Sequence, residues 1–197
     1  IDNSNAAAPE LLTIPVEVQD NNGYTDGIQN IGTQIWSNTF RITSLELPGY
    51  GLSGIVPISI EYLTELESLD LSNNNLINEL TALPEEIENL IALISLNLSN
   101  NQFSGEIPEV LNNLTVLIAL DLSNNLFNGG ISYINGLTNL ISIDLGNNRF
   151  IGSLPDVNEF PINLSYLELN NNYFGCFNYD FINNVCVEYC DGNNGCS

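Results

Sequence analysis

The chain has 197 residues, 44% of them hydrophobic, and carries 24 acidic side chains against two arginines, Arg41 and Arg149, with no lysine or histidine and a formal charge of −22. That much apolar content can bury a core and excludes a disordered chain, while the charge repels phosphate backbones and offers nothing to anionic headgroups, which excludes nucleic acid and membrane surfaces as partners. No apolar run approaches the roughly 20 residues needed to span a bilayer, and the lack of a basic-then-apolar signal at Ile1 is expected of a mature, processed chain.

Residues 1–40 do not repeat and are predicted to form an N-terminal arm and cap. They open with the linker-like "IDNSNAAAPE", continue with "LLTIPVEVQD" at 11–20, whose alternation predicts a strand interrupted by Pro15, and enter the glycine-containing "DNNGYTDG" at 20–27. Asp20, Asn22 and Asp26 supply hard oxygens that suit calcium. The glycine and closing glutamate of a helix-loop-helix calcium site are out of place, however, so the signal carries little weight. The arm is expected to fold onto its own first coil, because a solenoid needs capped ends to stay soluble. The alternative is an extended arm that adds a strand to another copy and builds a head-to-tail extracellular fibre.

From residue 41 to 174 the chain repeats. Aligned segments start at Leu45, Leu69, Leu96, Leu120, Ile143 and Leu167, at steps of 24, 27, 24, 23 and 24 residues, and define coils 1 to 6. In "LNLSNN" the alternating Leu96 and Leu98 point to one face of a short strand and Asn97 to the other. One coil cannot bury its leucines alone, so successive coils must stack strand beside strand into a parallel sheet. Asn74, Asn101, Asn125, Asn148 and Asn172 share a register where the chain bends inward and leaves backbone groups without ladder partners. Their amides are predicted to satisfy those groups and to bond along their own column. Gly54, Gly105, Gly129 and Gly152 permit the tight return, and Pro57, Pro108 and Pro155 preset a corner.

The stretch "LISLNLSNNQFSGEIP" at 93–108 matches the pattern LxxLxLxxNxLxGxIP nearly letter for letter, and residues 41–174 thereby resemble extracellular leucine-rich repeats of the plant-specific subclass. The resemblance implies an α/β-type solenoid: a right-handed curved superhelix with a parallel β-sheet on its concave face and short 3-10 or irregular turns on its convex face. Similar proteins include receptor ectodomains, pectinase inhibitors and ice-binding proteins, none of them catalysts. The chain departs from the pattern at Tyr50, which stands in the asparagine register of coil 1, at Ser132 in place of proline in coil 4, and in the missing cysteines of the N-terminal cap.

Residues 175–197 are predicted to form a cysteine-containing C-terminal cap. Cys176, Cys186, Cys190 and Cys196 are even in number, in a short Gly/Asn-rich tail, which reads as two disulfides and an oxidising, extracellular setting. Three pairings are open. Zinc is disfavoured because no C-x2-C pair occurs.

The concave sheet is the natural binding surface for a protein or a glycan. Its central column is Glu46, Asp70, Asn97, Asp121, Asp144 and Glu168, with Tyr166 beside its end. Carboxylates ~4.8 Å apart repel by about 0.9 kcal/mol in bulk water and roughly 3.5 kcal/mol at a surface dielectric. The column suits a cationic partner, yet it also reads as an ordinary solvated face, which is the favoured reading. Ser68, Ser95, Ser142 and Tyr166, then Ser72, Ser99, Ser123 and Asn170, make a flat polar strip suited to sugars or ordered water, and they are also what any solvated sheet carries. Ile94, Ile118 and Ile141 stack one residue after the framework leucines. They are either an exposed apolar patch or residues packed under the convex turn. Glycosylation sequons stand at Asn97, Asn113 and Asn163. Without histidine or lysine, nucleophilic triads and Schiff-base chemistry are excluded, and a smooth sheet offers no cleft for a carboxylate pair, so no catalytic residue or cofactor is assigned.

Overall fold

The computed structural model describes residues 33–37, 41–78, 83–154, 160–180 and 185–189. The predicted strand at 11–20, the calcium-suited Asp20, Asn22 and Asp26, Pro155, Cys190 and Cys196 lie outside these residues.

Each coil contributes one short strand, Ile42–Glu46, Ser68–Asp70, Ser95–Asn97, Ala119–Asp121, Ser142–Asp144 and Tyr166–Glu168, and these run parallel in chain order. The register is unbroken: Leu45, Leu69, Leu96, Leu120, Ile143 and Leu167 sit side by side. Alternation sends these residues inward, where Leu45, Leu69, Leu96, Leu120 and Ile143 are buried with the framework leucines Leu66, Leu93, Leu117 and Leu140. Leu167 is 38% exposed, and among the described residues its strand is paired on one side only. Thr33–Trp36 adds a seventh strand, antiparallel to Ile42–Glu46, with Thr33 opposite Glu46. The described part of the arm therefore closes the chain's own first coil and uses the edge that a second copy would need.

The buried asparagines hold coil to coil. In Asn125, Nδ2 donates to the carbonyls of Leu122 and Ser123 in its own coil (both 3.1 Å) and of Leu98 in the preceding coil (2.9 Å), while Oδ1 accepts the N–H of Phe103 at 3.0 Å. Asn74, Asn101, Asn148 and Asn172 repeat the pattern, each reaching back to a leucine carbonyl of the previous coil. The column does not bond along its own length as expected. Every partner is a backbone group of the bend or of the neighbouring coil. Tyr50 is tolerated in this register because coil 1 has no earlier coil to bond.

The residue before each buried asparagine has a separate task. Asn73, Asn100, Asn124, Asn147 and Asn171 adopt φ between 54° and 57°, the left-handed conformation that asparagine tolerates best after glycine, and Gly49 (φ 71°) takes the place in coil 1. A phenylalanine column backs the bend: Phe103, Phe127, Phe150 and Phe174 stack with ring centroids 6.1 to 6.3 Å apart. Leu52 and Leu76 fill its first two positions.

Beyond the bend the chain makes two further sets of parallel strands, Ser53–Gly54 with Asn75–Leu76, and Ser104–Glu106, Leu126–Gly129 and Arg149–Phe150. On the return side lie 3-10 helices at Ile58–Tyr62, Glu85–Asn89, Glu109–Asn113 and Ser132–Gly136. Pro57, Pro84 and Pro108 enter the first three with ψ of 146°, 139° and 139°. Ile131 enters the fourth at φ −113°, ψ 17°, so losing the proline changes the corner and leaves the 3-10 turn. Cys176–Asp180 and Val185–Tyr189 form an antiparallel hairpin in which Cys176 faces Tyr189 and Cys186 faces Tyr179.

Candidate binding face

The strand register places Glu46, Asp70, Asn97, Asp121, Asp144 and Glu168 in one continuous row across the sheet, half-buried in every coil. Each aspartate also serves the backbone. Oδ1 of Asp70, Asp121 and Asp144 accepts the N–H two residues on, from Ser72 (2.8 Å), Ser123 (2.9 Å) and Gly146 (2.9 Å). Asn97 makes the same bond with Ser99 at 3.0 Å, and Glu168 makes a longer one with Asn170 at 3.2 Å. An acceptor oxygen is thus useful where the strand ends; aspartate and asparagine supply it at 2.8 to 3.0 Å and the longer Glu168 at 3.2 Å.

Burial and charge act together in the row. Burial first, and then the neighbouring Asp121 and Glu168 carboxylates, raise the Asp144 pKa above the ordinary aspartate value, although the Gly146 N–H opposes the shift. The Tyr166 phenol is also pushed up, chiefly by the Asp144 carboxylate and then by desolvation, Glu168 and Asp121. Asp121 and Asp144 meet no cation among the described residues.

The expected polar strip is corrected. Ser72, Ser99 and Ser123 are buried, and their hydroxyls accept from Asn73, Asn100 and Asn124 at 3.1, 3.4 and 3.1 Å. The bend that turns the chain inward takes them out of reach of a sugar. In coil 5 glycine stands there, and a Cβ on Gly146 would come within 2.9 Å of Asn170 Oδ1, so that side chain would have to shift. Ser68, Ser95 and Ser142 stay half-buried on the outer side, with Ala119 in their register. Tyr166 is 48% exposed at the end of that row.

Ile94, Ile118 and Ile141 do not pack beneath the return side. They are 39, 39 and 43% exposed, while Leu93, Leu117 and Leu140 beside them are fully buried. Backbone bonds Ile118 N–H to Ile94 carbonyl (2.8 Å) and Ile141 N–H to Ile118 carbonyl (2.9 Å) hold the three in a column at the entry margin of the sheet. Two of the sequon asparagines, Asn113 and Asn163, are exposed, and Asn113 Nδ2 donates to Glu88 Oε2 at 2.6 Å. Asn97 sits mid-sheet with Oδ1 held by both the N–H and the hydroxyl of Ser99.

A parallel sheet with an inward asparagine at one register of coils 2 to 6, buried in coils 2 to 5 and backed by 3-10 turns, defines a leucine-rich-repeat solenoid. The leucine-rich-repeat family pattern matches residues 65–90, 92–114 and 139–158. The leucine-rich-repeat ectodomain of the receptor kinase SOBIR1 from Arabidopsis thaliana is 32% identical, with a TM-score of 0.67 over 88% of this chain and 96% of that one. The Arabidopsis receptor kinase HAESA, solved with the peptide hormone IDA and the co-receptor SERK1, is 29% identical at a TM-score of 0.61 over 67% of this chain and 22% of that one. The inactive leucine-rich-repeat receptor-like serine/threonine-protein kinase BIR2 of Arabidopsis thaliana is 45% identical over 47 residues, 23% of this chain and 8% of the relative. The chain therefore belongs to the extracellular leucine-rich-repeat proteins of the plant type. Among the described residues no helix is long and apolar enough to cross a membrane.

Proposed function

We propose that the chain is a non-catalytic recognition module that takes a peptide or protein ligand on its concave sheet. The observation that carries this reading is the continuous row from Glu46 to Glu168, in which a fixed backbone presents carboxylates at every coil but one. HAESA, a similar solenoid solved with a peptide hormone, supports a peptide over a glycan. The burial of the serine hydroxyls points the same way. Panning a displayed random-peptide library tests the reading. Enriched peptides should lose affinity for an Asp121→Asn/Asp144→Asn variant and keep it for Glu85→Gln/Glu109→Gln, whose changes lie on the 3-10 side. Peptides indifferent to the first pair would contradict it. Disulfides among Cys176, Cys186, Cys190 and Cys196, and glycans on Asn113 and Asn163, fit an extracellular module. Intact mass before and after reduction and glycan removal reads both.

A further inference from the structure

We infer that the concave sheet takes a cationic amphipathic α-helix laid along the stack, with its apolar ridge on Ile94, Ile118 and Ile141 and its basic flank over Asp121 and Asp144; this rests on the concave face being the binding surface. The three isoleucines form an apolar column left 39 to 43% exposed, and such a column beside an acidic row suits a partner that is apolar on one side and cationic on the other. A second copy is the wrong partner, because both molecules would carry a charge of −22.

Spacing selects a helix over an extended peptide. Coils repeat every ~4.8 Å, so Ile94 to Ile141 spans about 9.6 Å. A helix brings apolar residues i, i+4 and i+7 to one face over about 10.5 Å, close to that span. An extended strand needs about 13 Å to present three side chains on one face and falls out of step by the third coil. The acidic row runs beside the column: Ile118 directly precedes the strand that ends at Asp121, three residues and at most about 10 Å away. That is roughly the diameter of a helix, so lysines flanking the ridge meet the carboxylates. Oδ1 of Asp121 and of Asp144 is taken by the backbone, and Oδ2 remains for the ligand.

The probe is a stapled helical peptide of about 15 residues with leucine at i, i+4 and i+7 and lysines along one flank. Its comparator has the same composition with leucine and lysine alternating. Fluorescence anisotropy at near-physiological salt should give the helix about ten-fold or greater preference over the comparator. Ile118→Thr/Ile141→Thr and Asp121→Asn/Asp144→Asn should each weaken helix binding about ten-fold or more, and Glu85→Gln/Glu109→Gln should leave it unchanged. Ile94→Thr alone repeats the test in another coil if the double variant melts early. Equal binding of the two peptides, or full binding by the isoleucine variants, overturns the proposal. If those variants bind fully while the aspartate variant does not, the helix is wrong and the concave reading stands; if neither change matters, both fail.

Discussion

The backbone N–H of Phe103 donates to Oδ1 of Asn125 across the boundary between coils 3 and 4, at 3.0 Å. The same amide donates to three carbonyls, so a single side chain serves four backbone groups in two coils, of which the Ser123 carbonyl also accepts the Asn100 N–H. Replacing Asn125 by Ala should therefore lower stability by about 3 kcal/mol or more in urea unfolding, since buried backbone groups lose their partners. Asn125→Asp should be no better. It keeps an acceptor for Phe103 and turns an acceptor toward carbonyl oxygens.

Asn124, one residue earlier, sits at φ 55°. Asn124→Gly should hold stability to within about 0.5 kcal/mol, whereas Asn124→Ala should cost about 1 kcal/mol, because a Cβ without a compensating amide disfavours this backbone. Thermal melts of the two variants read the difference directly.

Asp144 separates the structural oxygen from the charge. Asp144→Asn keeps an acceptor for the Gly146 N–H, as Asn97 does for Ser99, and removes the repulsion with Asp121 and Glu168. A carboxylate whose folded pKa is raised holds its proton more tightly when folded, so its favourable contribution is complete below the unfolded value and is lost as pH rises through the folded one. The variant should match the wild type below about pH 3.9 and exceed it at neutral pH. Asp144→Ala, which also removes the charge but lacks the acceptor, should fall about 1 kcal/mol below Asp144→Asn at both. Melting temperature against pH distinguishes the three proteins.

Ile118 and Leu117 are neighbours in sequence at opposite extremes of burial, 39% and 0% exposed. Ile118→Asp should change stability by less than about 1 kcal/mol, while Leu117→Asp should prevent folding by burying an unpaired charge. Circular dichroism of the pair checks this without a ligand.

The leucine ladder was legible because its period links residues two dozen positions apart, and only stacking explains that. The second asparagine of each pair was legible for the same reason. The first was not recognised as a left-handed residue, although asparagine's tolerance of positive φ was the available signal. The phenylalanines at 103, 127, 150 and 174 also stood in register, yet register alone does not separate a stacked column from scattered core residues. Strands of two to four residues behind the bend are too short to show alternation. At the binding face the acidic row followed directly from strand alternation. The burial of Ser72, Ser99 and Ser123 did not, because it depends on where the backbone leaves the strand plane. Exposure of the isoleucines likewise depends on the path of the turn before the strand.

Carbodiimide labelling of carboxylates, read by mass spectrometry with and without a library-selected peptide, tests ligand binding on the concave sheet most directly. Asp121, Asp144 and Glu168 should be protected by the peptide while Glu85 and Glu109 label as before. Protection of Glu85 and Glu109 with Asp121 and Asp144 left reactive would contradict it.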